Sequence, residues 1–323
     1  MQAGPRRHRR PPRVSALWAA VGIAVLLAAS VLGLVMWRML PLLDRGAGVI
    51  PPSALTGVPP PSGGDGGVKE IAPLRAAGAS HRPVAGVDAP AAIVVDAGSG
   101  RVLWARHPHA RRPVASLTKL MTALLVERAG RLSKRFAITA PMTGELGYTI
   151  GLRVGQRVSV RDMLAATLIG SANDAADALA VRRAGSLAAF VKLMNREARR
   201  LRLSDTHFSN PSGIIDTGNA SSAWDVADLA RRVLARPALR RLVGLKVYTP
   251  HGGDDYVSRN QLLWTYPGAI GVKTGSTDLA GDCLAAAARR DGHTLIVVVL
   301  GATGDEFGQG SRLLDWGFRR VSG

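Results

Sequence analysis

A mixed α/β domain, with an antiparallel sheet flanked by helices plus a helical subdomain, carried behind an N-terminal transmembrane helix, is what the sequence predicts. Three observations predict it. Short apolar runs of strand character stand near both ends of residues 84–323, helical periodicity fills the middle, and residues 14–37 hold no charged side chain. Strands separated in this way complete one sheet from distant segments around a helical insertion, unlike alternating βαβ units.

Residues 1–13 carry Arg6, Arg7, Arg9, Arg10 and Arg13 and no acid. At about 1.5 Å per residue the run 14–37 exceeds a hydrocarbon core of about 30 Å, and the basic cluster in front places the N-terminus in the cytoplasm. The expected location is therefore the cell membrane, single-pass, with the rest of the chain outside. A cleaved signal peptide, which would release a secreted protein, has a similar layout, but its apolar part usually spans about 7–15 residues. Length favours an uncleaved anchor. Residues 38–83 are rich in Pro and Gly (VIPPS, GVPPPSGGDGG) with little apolar periodicity, and read as an extended, mobile tether. The folded part is expected over 84–323.

Within it, 91–95 and 101–106 flank a DAGSG turn and read as a hairpin. Helical spacing follows over 116–128, after Pro113, and over 160–169, behind Ser159 as an N-cap. Further helices are expected over 174–184, 186–203 and 223–234, the last behind Ser221 and Ser222 as cap candidates. Strands return at 269–274, 283–288 and 295–300, and a helix over 312–318 closes the chain. A site between sheet and helical block is the natural expectation.

The net charge is +19 over 323 residues, and residues 84–323 still hold 32 Lys/Arg against 20 Asp/Glu. Such a surface would suit any polyanion, but no aromatic-interleaved basic stripe or nucleic-acid motif is present, so nucleic acid is not an expected partner. The single Cys283 forms no internal disulfide and sits in the apolar run CLAAAA, as core filler.

Lysine is scarce, six against 36 Arg. A Lys retained in such a chain suggests a need for a nitrogen whose pKa can fall until it acts as a base, which Arg cannot do. Lys119 ends Ser116-Leu117-Thr118-Lys119, the only Ser-x-x-Lys in the chain. With a helix starting at or just before Ser116, the i,i+3 spacing puts the amine beside the hydroxyl, and the helix N-terminus offers N–H groups to an oxyanion. A neutral Lys there would activate the serine as a nucleophile. Lys273 lies in Gly271-Val272-Lys273-Thr274-Gly275-Ser276, on an expected strand. Two ammonium groups sharing a site repel, which lowers the pKa of at least one and would help keep Lys119 neutral. Between them in sequence stands Gly170-Ser171-Ala172-Asn173-Asp174, at a helix junction, where hydroxyl and amide would relay a proton and hold a substrate amide. Taken singly, each piece has a blander reading: Ser171 or Asn173 as a cap, Lys273 as a solvated strand residue, Ser-x-x-Lys as a chance pattern.

Together and in order, the three motifs resemble the serine penicillin-binding protein and β-lactamase superfamily, with its Ser-x-x-Lys, Ser-Asp-Asn and Lys-Thr-Gly signatures. The Ser-Ala-Asn variant, SANDAADALA, FVKLMNREARRL, NPSGI, VKTGST and LLDWGF are similar to the low-molecular-mass D-alanyl-D-alanine carboxypeptidases. The resemblance covers about 84–318 and implies a β-lactamase/transpeptidase-like fold.

It also implies roles. Ser116 would attack the carbonyl of the penultimate D-Ala of a peptidoglycan stem peptide, Lys119 would take its proton, Ser171 would pass a proton to the leaving amine, and Asn173 would orient the substrate amide. Lys273 and Thr274 would bind the terminal carboxylate, Gly275 would belong to the same substrate-binding strand, whose glycine lets a substrate backbone lie along the edge, and the backbone N–H groups of Ser116 and Ser276 would form the oxyanion hole. β-Lactams would acylate Ser116. No metal and no cofactor is implied.

Two departures from the resemblance stand out. Where many relatives carry an Arg after the last strand to hold the substrate carboxylate, this chain has Glu306, with Arg312 the nearest substitute. The preference for a free D-Ala over a cross-link is therefore open. The chain also stops soon after LLDWGF, so the N-terminal anchor is expected to replace the C-terminal attachment of many relatives. Two rivals differ in class: a β-lactamase, although none of the five Glu lies in a Glu-x-x-Leu-Asn loop, and a non-catalytic wall-binding or penicillin-sensing module.

Overall fold

The computed structural model describes residues 71–143, 146–214 and 218–321. The basic segment 1–13 and the anchor 14–37 lie outside the described residues, among which no helix is long and apolar enough to cross a membrane. The end of the stretch read as a tether is corrected. Arg75 and Ser80 bridge to Arg101 and Trp104, and Leu74 is buried in the core. Composition suggested a solvated linker there, but these backbone groups are hydrogen-bonded to the sheet's outer strand.

The expected hairpin is β1 (Ala91–Asp96) and β2 (Val102–Arg106), its turn fixed by Asp96 Oδ1, which accepts from the N–H and hydroxyl of Ser99. A 3-10 turn, Ala115–Thr118, then leads into α1 (Lys119–Glu127). The small pair β3 (Arg135–Ala137) and β4 (Arg157–Ser159) precedes α2 (Val160–Ala165), α3 (Asn173–Ala184), α4 (Leu187–Arg200), α5 (Ala223–Ala235) and α6 (Pro237–Val243). A second pair, β5 (Val247–Tyr248) and β6 (Tyr256–Val257), and a single turn, α7 (Leu262–Thr265), lead to β7 (Ala269–Thr277), β8 (Gly281–Arg290), β9 (His293–Ala302) and α8 (Glu306–Val321). Ser159, Ser186 and Ser222 cap α2, α4 and α5. Ser221 does not cap; its hydroxyl bonds Thr206.

The main sheet has the order β2-β1-β9-β8-β7, antiparallel throughout, so the last three strands complete it from the other end of the domain. Its two faces bury alternate residues. Ile93, Val95, Ala285, Ala287, Ile296 and Val298 join the core beneath the helical block, while Ala92, Val94, Ala286, Leu295, Val297 and Val299 pack with Leu313, Leu314 and Phe318 of α8. Coverage on both sides explains why β1, β8 and β9 read as nearly continuous apolar runs. Cys283 is fully buried in β8.

Three helix expectations needed correction, and the first is the closing helix, which runs over Glu306–Val321 instead of 312–318. Ser116 lies in the tight 3-10 turn before α1, not in the α-helix. The helix expected to run unbroken over 160–169 ends at Ala165 and widens into a π turn, Ala166–Gly170. That turn carries Ser171 into a left-handed backbone conformation, φ 67°. Strand pairs of two or three residues are too short to show a period, so β3 to β6 left no mark in the sequence.

Candidate active site

Four segments meet between sheet and helical block. The 3-10 turn aims Ser116 Oγ at Lys119, one turn on, whose Nζ lies 2.9 Å away. Lys119 is fully buried, and its nitrogen has two further partners: Asn173 Oδ1 at 2.7 Å and the carbonyl oxygen of Ser212 at 2.7 Å. Both accept only. Ser116 Oγ accepts from the same nitrogen; on loss of one proton the two carbonyl-type acceptors would keep both remaining N–H groups and turn the lone pair toward the serine hydroxyl.

The Ser212 carbonyl is held by a turn that locks itself. Asn210 Oδ1 accepts from the N–H of Ser212 and of Gly213, and the Pro211 carbonyl accepts from Thr122 on α1. Gly213, at φ +80°, sits so close under the Ala115 carbonyl that no Cβ fits there. Asn173 is fixed just as firmly: its N–H donates to the Tyr148 carbonyl, its Nδ2 to the Leu146 carbonyl at 2.6 Å. Asp174 accepts from the N–H groups of Ile150 and Leu152, tying the same loop to the start of α3.

β7 is the sheet's edge strand and passes directly beside Ser116: a Cβ on Gly275 would stand 2.7 Å from the Ser116 nitrogen. Lys273, one turn of the pleat away, is buried and donates to Ser171 Oγ at 2.9 Å and to the Thr274 carbonyl. Burial, then the neighbouring charges of Lys119 and Arg259, pull the Lys273 amine well below the usual lysine range. Thr274 and Gly275 are half-buried and Ser276 exposed, along the rim.

Ser116, Lys119 and Asn173 thus form one hydrogen-bonded group and Ser171 and Lys273 a second, near enough for the charge of Lys119 to act on Lys273, with Thr274, Gly275 and Ser276 along the edge. Sequence reasoning missed three contributors. The Ser212 carbonyl is a backbone group, signalled only by the NPSG turn. Tyr148 supplies the carbonyl that holds Asn173, and Arg259 lies 4.4 Å over the Tyr148 ring. Arg312 is engaged elsewhere, by the Gly86 carbonyl and Asp305. Glu306 is half-buried at the start of α8, and burial, with Asp282 and Asp305 nearby, raises its pKa. Asp282 pairs across the strands with Ser276.

A sheet closed from both ends, a helical insertion, and two buried lysines each hydrogen-bonded to a serine at their junction define the penicillin-binding and β-lactamase class of fold. The sequence profile of the D-alanyl-D-alanine carboxypeptidase family, peptidase S11, matches residues 77–304. The D-alanyl-D-alanine carboxypeptidase DacF of Bacillus subtilis is 34% identical over 242 residues, 72% of this chain and 62% of that protein. Among solved structures, a D-alanyl-D-alanine carboxypeptidase from Mycobacterium tuberculosis superposes with TM-score 0.70 at 30% identity, covering 75% of this chain and 95% of that one. Penicillin binding protein 6B from Escherichia coli gives TM-score 0.70 at 33% identity, covering 76% and 81%. The chain belongs to the D-alanyl-D-alanine carboxypeptidase family. It spans 62% and 63% of the length of two curated relatives at 34% and 37% identity.

Proposed function

We propose that the chain is a serine D-alanyl-D-alanine carboxypeptidase acting on peptidoglycan stem peptides outside the cell, held at the membrane by residues 14–37 and inhibited by β-lactams. The observation that carries this reading is the Lys119 nitrogen, 2.9 Å from Ser116 Oγ with two acceptor-only partners besides.

Ser116 Oγ attacks the carbonyl carbon of the penultimate D-Ala as its proton passes to Lys119 Nζ. The Ser116 and Ser276 N–H groups receive the oxyanion. The substrate carboxylate, arriving beside Lys273 and Thr274, favours the protonated form of Lys273. That proton moves through Ser171, 2.9 Å away, to the nitrogen of the leaving D-Ala as the C–N bond breaks. Water then attacks the acyl-enzyme ester, its proton returning through Ser171 to Lys273, while Lys119 gives its proton back to Ser116 Oγ as the ester C–O bond breaks and the shortened peptide leaves. Asn173 orients the substrate amide throughout. Beyond Tyr148 a groove of about 730 Å³, lined also by Arg153, Arg157, Asp254 and Asp255, has room for the rest of the peptide.

A second reading, D,D-endopeptidase action on cross-links, is favoured by Glu306, Asp282 and Asp305 near Ser276 and by the engagement of Arg312 elsewhere. Carboxylates beside Ser276 oppose the pull of Lys273 on a free substrate carboxylate. Incubation with a stem pentapeptide and with a cross-linked dimer decides: D-Ala release alone means carboxypeptidase, monomer release endopeptidase. Labelled penicillin should add to Ser116 and not to Ser116→Ala. An unlabelled, folded wild type would sink the enzyme reading, and rapid penicillin turnover would point to a β-lactamase.

A further inference from the structure

The helical block is a one-signed surface. Residues 128–202 hold fourteen Lys/Arg, and thirteen of them are exposed. The described acids of that stretch, Asp162, Asp174, Asp177 and Glu197, are all buried or half-buried. Asp162 and Asp174 bond hydroxyls and backbone N–H groups, and Glu197 is held between Arg128 and Arg200. The concentration is sharpest on α4, where Lys192, Arg196, Arg199 and Arg200 share its outer face and Arg202 follows.

That face borders a groove of about 640 Å³ lined by Arg128, Arg200, Arg202, Arg232 and Arg236. The groove's carboxylates point inward: Asp225 accepts from Asp205 N–H and Thr206, and Asp228 from Arg232. Ile71, the first described residue, with Pro73 and Leu74, lines the same groove. The described chain therefore begins beside this arginine-lined groove.

We infer that this arginine face docks on the anionic phospholipid headgroups of the membrane that holds the N-terminal segment. The inference rests on the anchored reading of residues 14–37. Guanidinium groups suit phosphate oxygens, and basic residues close to an anionic leaflet are drawn to it within a screening length. A tether alone would leave the domain free to tumble; docking through α4 fixes which side faces the bilayer.

The test uses the full chain in vesicles of phosphatidylcholine alone and of phosphatidylcholine mixed with phosphatidylglycerol. A donor dye is placed on Ala188→Cys, exposed on the same face, while native Cys283 is fully buried and escapes labelling; the acceptor is a headgroup dye. Energy transfer should be about twofold or more higher on anionic vesicles and collapse in molar salt, where screening acts within about 3 Å. Combined Lys192→Gln, Arg196→Gln and Arg199→Gln should abolish the difference, with penicillin acylation at the wild-type rate certifying the fold. Equal transfer on both vesicles, or a difference that survives the triple variant, overturns the proposal. Release of the face by a soluble phosphodiester polymer at matched phosphate also overturns it, in favour of a wall polymer. Alkaline carbonate washing separates the two failures: loss of the chain from the membrane defeats the anchored reading, whereas retention with equal transfer defeats only the docking.

Discussion

Gly275→Ala tests whether the edge strand positions the oxyanion hole. The φ of Gly275 lies outside the left-handed region, so alanine meets no backbone penalty there and the effect is one of space. The new Cβ would stand 2.7 Å from Ser116 N, 3.1 Å from Ala115 Cβ and 3.2 Å from the Val114 carbonyl oxygen. Ordinary contact begins near 3.4 Å, so strand and turn must separate by about 0.7 Å. None of the three atoms is the end of a flexible side chain, and the one pressed hardest is the nitrogen proposed to donate to the oxyanion. Losing one such donor costs about 10²–10³ in rate, or roughly 3–4 kcal/mol of transition-state stabilisation, and a misplacement of about 1 Å is worth about 10² by itself. Stability should fall by only about 1–3 kcal/mol, the usual cost of overpacking. Penicillin acylation and D-Ala release, measured beside thermal unfolding, separate the two effects. A folded variant acylating within about threefold of wild type would refute the reasoning, because the donor would then not have moved from the oxyanion.

Three other outcomes follow from the geometry. Asn173→Ala removes a ligand of the Lys119 nitrogen and the donor to Leu146, so acylation should drop about a hundredfold with a stability loss of about 1–3 kcal/mol; near-normal acylation would show that Ser212 alone orients the amine. Arg259→Ala takes away one of the charges that depress Lys273. The lysine pair then keeps its extra proton to higher pH, and the rising limb of the acylation profile should move to higher pH; an unmoved or acid-shifted limb would contradict the assignment. Asp225 is pushed up to about 6, first by burial, against hydrogen bonds from Thr206 and Asp205. A carboxyl raised in the folded state costs stability as pH climbs from the unfolded value near 3.8 through about 6, by at most about 3 kcal/mol. Asp225→Asn should therefore gain on wild type in thermal unfolding between pH 4 and pH 7, and a constant difference across that range would rule this out.

What could be read in advance follows the range of each interaction. The Ser116 and Lys119 pair is local, three residues apart on one turn, and the sheet strands carry their burial in composition, so both were legible. The motif at 170–174 was legible as a set of side chains, yet the π turn that lifts Ser171 into place was not, because Ala166 to Gly170 look like continuing helix. The least legible parts act through the backbone or across long separations. The Ser212 carbonyl binds a lysine 93 residues away, and any residue type has a carbonyl. Arg259 and Tyr148 meet face to cation across 111 positions of sequence, which no periodicity encodes. The tether was misjudged at its end for the same reason, since Arg75 and Ser80 join β2 through main-chain bonds that Pro- and Gly-rich composition conceals. The nucleophile and its base are thus encoded by side chains in one short segment, while their tuning comes from backbone groups and distant charges. Substitutions at Tyr148 or in the Asn210 turn should accordingly change the rate of acylation at Ser116 without altering any of the three motifs.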